Sequence, residues 1–166
     1  GYDGTEAKDK YDGRIKITAH ADVNDSTYVQ GRLRSDMNFK DSKDANTYME
    51  ELIVHHQFGD KVGMNLGRNF LTLGQTGMYY DDFFDGAQLF IGDSKLTLEA
   101  GYGRMNTWIN DYGQKKDDTV YARLYGQTGR IGYDAEYIKT VGAADADKKS
   151  IWGAGLTVGV TDARTL

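Results

Sequence analysis

The chain has 166 residues, the size of one domain, with 21 glycines, 12 tyrosines, no proline and no cysteine. Without cysteine there are no disulfide scaffolds, thiol catalysis, iron–sulfur clusters or cysteine-ligated zinc, and a net charge of −5 argues against nucleic-acid binding by phosphate neutralisation. Mean hydropathy is −0.63 and no run approaches the ~18 apolar residues of a spanning helix, yet a transmembrane β-barrel alternates its two faces and stays polar on average.

Residues 1–12 have the composition of a loop. Ile15, Ile17, Ala19, Ala21 and Val23 then alternate with Arg14, Lys16, Thr18, His20 and Asp22, which predicts a two-faced strand over 13–23. A second strand over 27–39 sets Val29, Gly31, Leu33, Met37 and Phe39 against Gln30, Arg32, Arg34, Asp36 and Asn38. Both runs have the length of a tilted strand that crosses a bilayer, and exceed the usual strand of about five or six residues. The same period places strands at 47–58, 61–67, 87–92, 95–105, 119–128, 131–141 and 150–161.

The connections alternate. Those at 24–25, 59–60, 93–94 and 129–130 are short, and those at 40–46, 68–86, 106–118 and 142–149 are long. In an up-and-down barrel this parity puts tight turns on one rim and long loops on the other. The reading is therefore all-β: an antiparallel up-and-down transmembrane β-barrel, with 1–166 as one segment. Nine is odd, whereas bacterial single-chain barrels have even strand numbers, so the expectation is a segment incomplete at both ends.

One face carries the charge. Arg14, Lys16, Arg32 and Arg34 fall together on paired strands and form an expected basic wall of the pore. Asp36, Glu51, Glu99 and Arg123 are further candidates for the lumen face. Adjacent strand residues point to opposite faces, so His55 and His56 cannot jointly hold one metal in a regular strand. Trp108, Trp152 and tyrosines near strand ends suit an interfacial girdle. No dinucleotide fingerprint, nucleophile elbow or zinc-protease motif is present, so no catalytic residue, metal or cofactor is assigned and the chain is not read as an enzyme. Two alternatives stay open. One is a small outer-membrane barrel enzyme that modifies lipid, with His20, His55 or His56 as base; the other is a soluble β-sandwich that binds carbohydrate through its aromatics.

Three stretches add a resemblance: Asn65-Leu66-Gly67-Arg68, Leu73-Gly74-Gln75-Thr76-Gly77-Met78-Tyr79-Tyr80-Asp81-Asp82-Phe83-Phe84-Asp85-Gly86, and Leu98-Glu99-Ala100-Gly101-Tyr102-Gly103-Arg104. Together they resemble a glycine-, aspartate- and aromatic-rich region of bacterial outer-membrane porins, most of all porins that carry S-layer-homology domains in diderm relatives of Gram-positive bacteria. The resemblance implies a larger, sixteen-stranded barrel in the outer membrane, in contact with its lipid. It also implies assembly as a homotrimer and passive diffusion of ions and small hydrophilic solutes. Any contact with a cell-wall polymer would go through a domain outside this chain.

By the same resemblance, residues 68–86 are the constriction loop that folds into the lumen, presenting Arg68, Tyr80, Asp81, Asp82 and Asp85. A basic wall facing these acids would set a transverse field across the pore. A weak calcium site at Asp81, Asp82 and Asp85 is the minor alternative.

Overall fold

The computed structural model describes residues 12–38, 45–74, 77–105, 117–141 and 149–159. They form nine strands: β1 (Asp12–Asn24), β2 (Thr27–Asn38), β3 (Asn46–Gln57), β4 (Val62–Leu73), β5 (Tyr80–Gly92), β6 (Thr97–Met105), β7 (Asp117–Thr128), β8 (Ile131–Val141) and β9 (Ser150–Val158). All belong to one antiparallel sheet whose spatial order is the chain order, and among the described residues there is no α-helix. Each strand pairs with the next, and the sheet is open, with β1 and β9 at its edges. Trp108, the expected loop at 1–11 and the residues after 159 lie outside the described residues.

Parity is kept. The short connections (25–26, 58–61, 93–96 and 129–130) fall at one end of the sheet, and the strand ends at Asn38, Asn46, Leu73, Tyr80, Met105, Asp117, Val141 and Ser150 lie at the opposite end. The short turns use local chemistry: the Asn24 side chain accepts the Ser26 amide at 2.9 Å, and Gly59 and Gly129 adopt φ of 108° and 60°. Asp93 accepts the amides of Lys95 and Leu96 at 3.0 and 3.3 Å, and those two hydrogen bonds hold its carboxyl below the usual aspartate range.

The faces differ as the alternation requires. Ile15, Ile17, Leu33, Leu52, Val54, Leu66, Leu89, Leu98, Leu124 and Leu156 stand exposed on one face, with Trp152 at 80%. Most of the charged side chains occupy the other, and Arg68, Asp85, Arg104 and Asp118 are exceptions that stand on the first. The first is called here the apolar face and the second the polar face.

The largest departure from expectation concerns residues 68–86. They are mostly strand: β4 and β5 pair in unbroken register from Val62↔Ile91 to Leu73↔Tyr80, leaving 74–79 as the connection. The alternation is masked there because both sides carry large apolar groups, Phe70 and Phe83 on one and Leu71, Leu73, Tyr80 and Phe84 on the other. Pairing of β3 with β4 stops at Leu52↔Arg68, so the end of this hairpin leaves its neighbour. It lies across the polar face of β6–β9. Leu71, Leu73, Tyr80 and Phe84 bury there with Met105, Tyr121 and Ile138, and Tyr79 packs against the cluster.

Glycines make room for this crossing. A Cβ at Gly153 would meet the Tyr79 hydroxyl, one at Gly101 the Tyr121 ring, and one at Gly86 or Gly103 would meet the Phe84 ring at 2.8 Å. Gly153→Val meets only the Tyr79 side chain, so it is expected to displace Tyr79 and cost about 1–3 kcal/mol, the range for overpacking. Gly129 has open space and a left-handed φ that asparagine adopts, so Gly129→Asn is expected to leave stability nearly unchanged. Unfolding midpoints in detergent check the pair; equal midpoints for both variants would contradict the packed hairpin.

Candidate functional site

The polar face divides into two halves, and the first is built by β1–β3. Register pairs Arg14 with Asp36, Lys16 with Arg34 and Thr18 with Arg32 on one side of the sheet. Across the next seam the register slips: Arg32 faces Glu51 while Leu33 faces Met49, so Glu50 is an extra residue in β3. The bulge turns two consecutive glutamates to the same face. Glu50, 7% exposed, accepts Lys16 at 2.9 Å and Arg34 at 3.3 Å, and lies 3.7 Å from Arg32. Glu51 also lies 3.7 Å from Arg32 and accepts from the Gln30 amide. Asp36 bridges Arg14 and Arg34, each at 2.8 Å, and the Arg34 guanidinium sits 5.5 Å above the Tyr48 ring.

The four basic residues are thus on one face, as expected, but they do not form an unneutralised wall. They are half of an ion-pair lattice whose acids come from β2 and β3. Towards the short-turn end the lattice gives way to rings: Tyr28 stacks on His55 at 4.7 Å and lies 4.8 Å from His20. His55 and His56 do face opposite ways, His55 bonding Asn65 and His56 bonding Thr27. No group of three metal-ligating side chains occurs among the described residues.

The second half, on β4–β8, is a connected set of neutral and acidic groups with one arginine, gathered at the hairpin. Asn69 donates to Gln88 at 2.6 Å, Gln88 donates to the Tyr121 hydroxyl at 2.7 Å, and Tyr121 donates to Glu99 at 2.5 Å. Gln88 and Glu99 are each 4% exposed. Arg123 lies between Glu99 and Glu136 in the register, stacks 4.5 Å over Tyr125 and donates to the Thr72 carbonyl at 3.3 Å, tying wall to hairpin. Glu136, also 4% exposed, lies beneath Gly74 of the hairpin connection.

The residues expected on the constriction loop do not gather into one group. Arg68 and Asp85 face each other on the apolar side of the β4–β5 pair, joined by two 2.6 Å hydrogen bonds, with Arg68 stacked 5.8 Å over Phe83. Asp81 accepts from Thr72 at 2.8 Å on that same side of the hairpin. Tyr80 is buried in the apolar cluster and donates to the Phe83 carbonyl. Asp82 is on the polar side of the register and accepts the Phe83 amide at 2.7 Å. Three aspartates close in sequence are separated because they sit in a strand, where neighbours alternate. Calcium binding by the three together has no geometric basis.

Asp36, Glu51, Glu99 and Arg123 do occupy the polar face. Residues missed in the sequence are Glu50, Gln88, Tyr121, Asp134 and Glu136. For Glu50 the signal was the Glu50-Glu51 doublet, which breaks alternation and so marks a bulge. Neither a scan against protein-family models nor a search of curated proteins returns a match.

Glu50 holds three cations and Glu51 one, so Glu50→Gln is expected to cost about 1–3 kcal/mol, from loss of charge-assisted hydrogen bonds, and Glu51→Gln less. Denaturant unfolding of the two variants checks the order. Equal costs would contradict the bulge-centred lattice.

Proposed function

We propose that this sheet is part of the wall of a porin-like outer-membrane channel that passes ions and small hydrophilic solutes by diffusion. One observation carries the reading: a face of exposed Ile, Leu, Val, Phe and Trp side chains spans nine long strands while the opposite face holds most of the charges. Soluble monomers rarely expose contiguous apolar patches beyond a few hundred Å². A sandwich would cover that face with a second sheet, whereas in a barrel wall it meets lipid. In the bilayer the edges of β1 and β9 must also be paired, by further strands or by each other.

The parity of short and long connections supports the same reading, as does the hairpin folded across the polar face, where it would narrow a lumen. Its role as constriction comes from ordered strands and buried aromatics. Charge on the described polar face gives the channel a sign. Arg14, Lys16, Arg32, Arg34 and Arg123 are outnumbered by Asp22, Asp36, Glu50, Glu51, Asp82 and Asp134, with Glu99 and Glu136 buried beneath the hairpin. Rings of acidic side chains favour cations.

The full chain in planar bilayers is therefore expected to give discrete conductance steps with a cation preference. Arg32→Gln with Arg34→Gln raises that preference, and Asp36→Asn with Glu51→Gln lowers it, both read as shifts in reversal potential under a salt gradient. Absence of conductance, or a reversal potential that ignores both pairs, would contradict the proposal.

A further inference from the structure

The apolar face carries a row of opposite charges where none is needed for a lumen. Register places Arg68 of β4, Asp85 of β5, Arg104 of β6 and Asp118 of β7 side by side on that face, each directly opposite the next. The row reads plus, minus, plus, minus. Arg68 pairs with Asp85 at 2.6 Å and Arg104 with Asp118 at 3.4 Å; the Arg104 and Asp118 side chains are 55% and 41% exposed. Apolar groups lie below it on every strand: Leu66, Ala87, Tyr102 and Val120. Arg104 and Asp118 stand at the ends of β6 and β7, on the long-connection rim, where lipid offers the row no opposite charge and a second protein surface does.

An alternating row of even length is its own complement when reversed. A two-fold axis reverses it: the surfaces of two copies meet face to face, and left on one becomes right on the other. With the axis between β5 and β6, Arg104 of each copy comes to Asp85 of the other. Strand tilt makes the two rows cross at the axis, so this central pair is the one brought together. The ground around it is low at Ala87, which with the backbone of Gly86 and Gly103 lines a shallow depression of about 390 Å³ bounded by Tyr102 and Asp118.

We infer that the face of β5 and β6 is a docking surface for a second copy of this chain, in a two-fold contact centred on Asp85 and Arg104. The inference rests on reading the apolar face as the outer face of a membrane barrel. It is separate from the threefold assembly implied by the porin resemblance, because a cyclic trimer joins two different patches and would not set this row against itself.

Charge exchange between copies tests it. Differently tagged full chains are mixed in detergent and their association read by native mass spectrometry, with bilayer conductance measured on each variant. The wild type is expected to form two-fold pairs. Asp85→Arg alone sets plus against plus at the axis and Arg104→Asp alone sets minus against minus, so each is expected to weaken self-association roughly tenfold or more. Mixing the two variants restores opposite charge at both central contacts and is expected to recover pairing. Misfolding cannot produce that rescue.

Ala87→Trp, which fills the depression without altering charge, is expected to weaken pairing too. A wild type that conducts but stays monomeric, or forms trimers alone, overturns this inference and leaves the channel reading standing. Conducting single variants that pair as the wild type does, or fail to pair when mixed, also overturn it. A wild type that stays monodisperse without detergent and never conducts overturns both.

Discussion

Period-two alternation gives each strand one side that water does not solvate well and one side that it does, and every larger feature depends on where the first side goes. Nine strands in sequential order put all of those sides on one surface. Pairing within the sheet satisfies the backbone but covers none of that surface. On the proposed reading a bilayer covers it without a second layer of protein, and strands of 9–13 residues match that use better than they match a sandwich.

The polar face then has to be assembled from charged groups at strand spacing, about 4.8 Å from neighbour to neighbour. Two solutions appear. On β1–β3 acids and bases interleave, and the bulge at Glu50 supplies the extra carboxylate that the number of cations requires. On β4–β8 the hairpin end replaces water as the covering layer, so the side chains beneath it are neutral or hydrogen-bonded in series from Asn69 to Glu99. Glycine is what reconciles the two. Gly86, Gly101, Gly103 and Gly153 remove side chains from the wall where Phe84, Tyr121 and Tyr79 must lie.

Much of this was legible in the sequence, and for a definite reason. Strands with one apolar and one charged side, such as 13–23 and 131–141, announce both their extent and their facing. The alternation in 13–23 and 27–39 puts Arg14, Lys16, Arg32 and Arg34 on one face, where the β1–β2 register has them. The hairpin was hidden because Phe70, Leu71, Leu73, Phe83 and Phe84 make both of its sides apolar, so a strand read as a loop. Facing failed where alternation itself failed, at the Glu50 bulge. A loop can aim the charges of Arg68 and Asp85 inward, whereas the strand register turns them to the apolar face. Long-range partners such as Tyr79 over Gly153 leave no local trace, since they join segments that only the folded sheet brings together.

Sidedness in a membrane is the central claim, and the chain's lack of cysteine makes it directly measurable. Single cysteines at His20, Gln30, Asp134 and Thr157 on the polar face, and at Ile17, Leu89, Leu98 and Leu124 on the apolar face, are probed in liposomes with a membrane-impermeant thiol reagent. The account predicts rapid labelling of the first set and protection of the second, with the contrast abolished on denaturation. Equal labelling of both sets in the folded protein would contradict it.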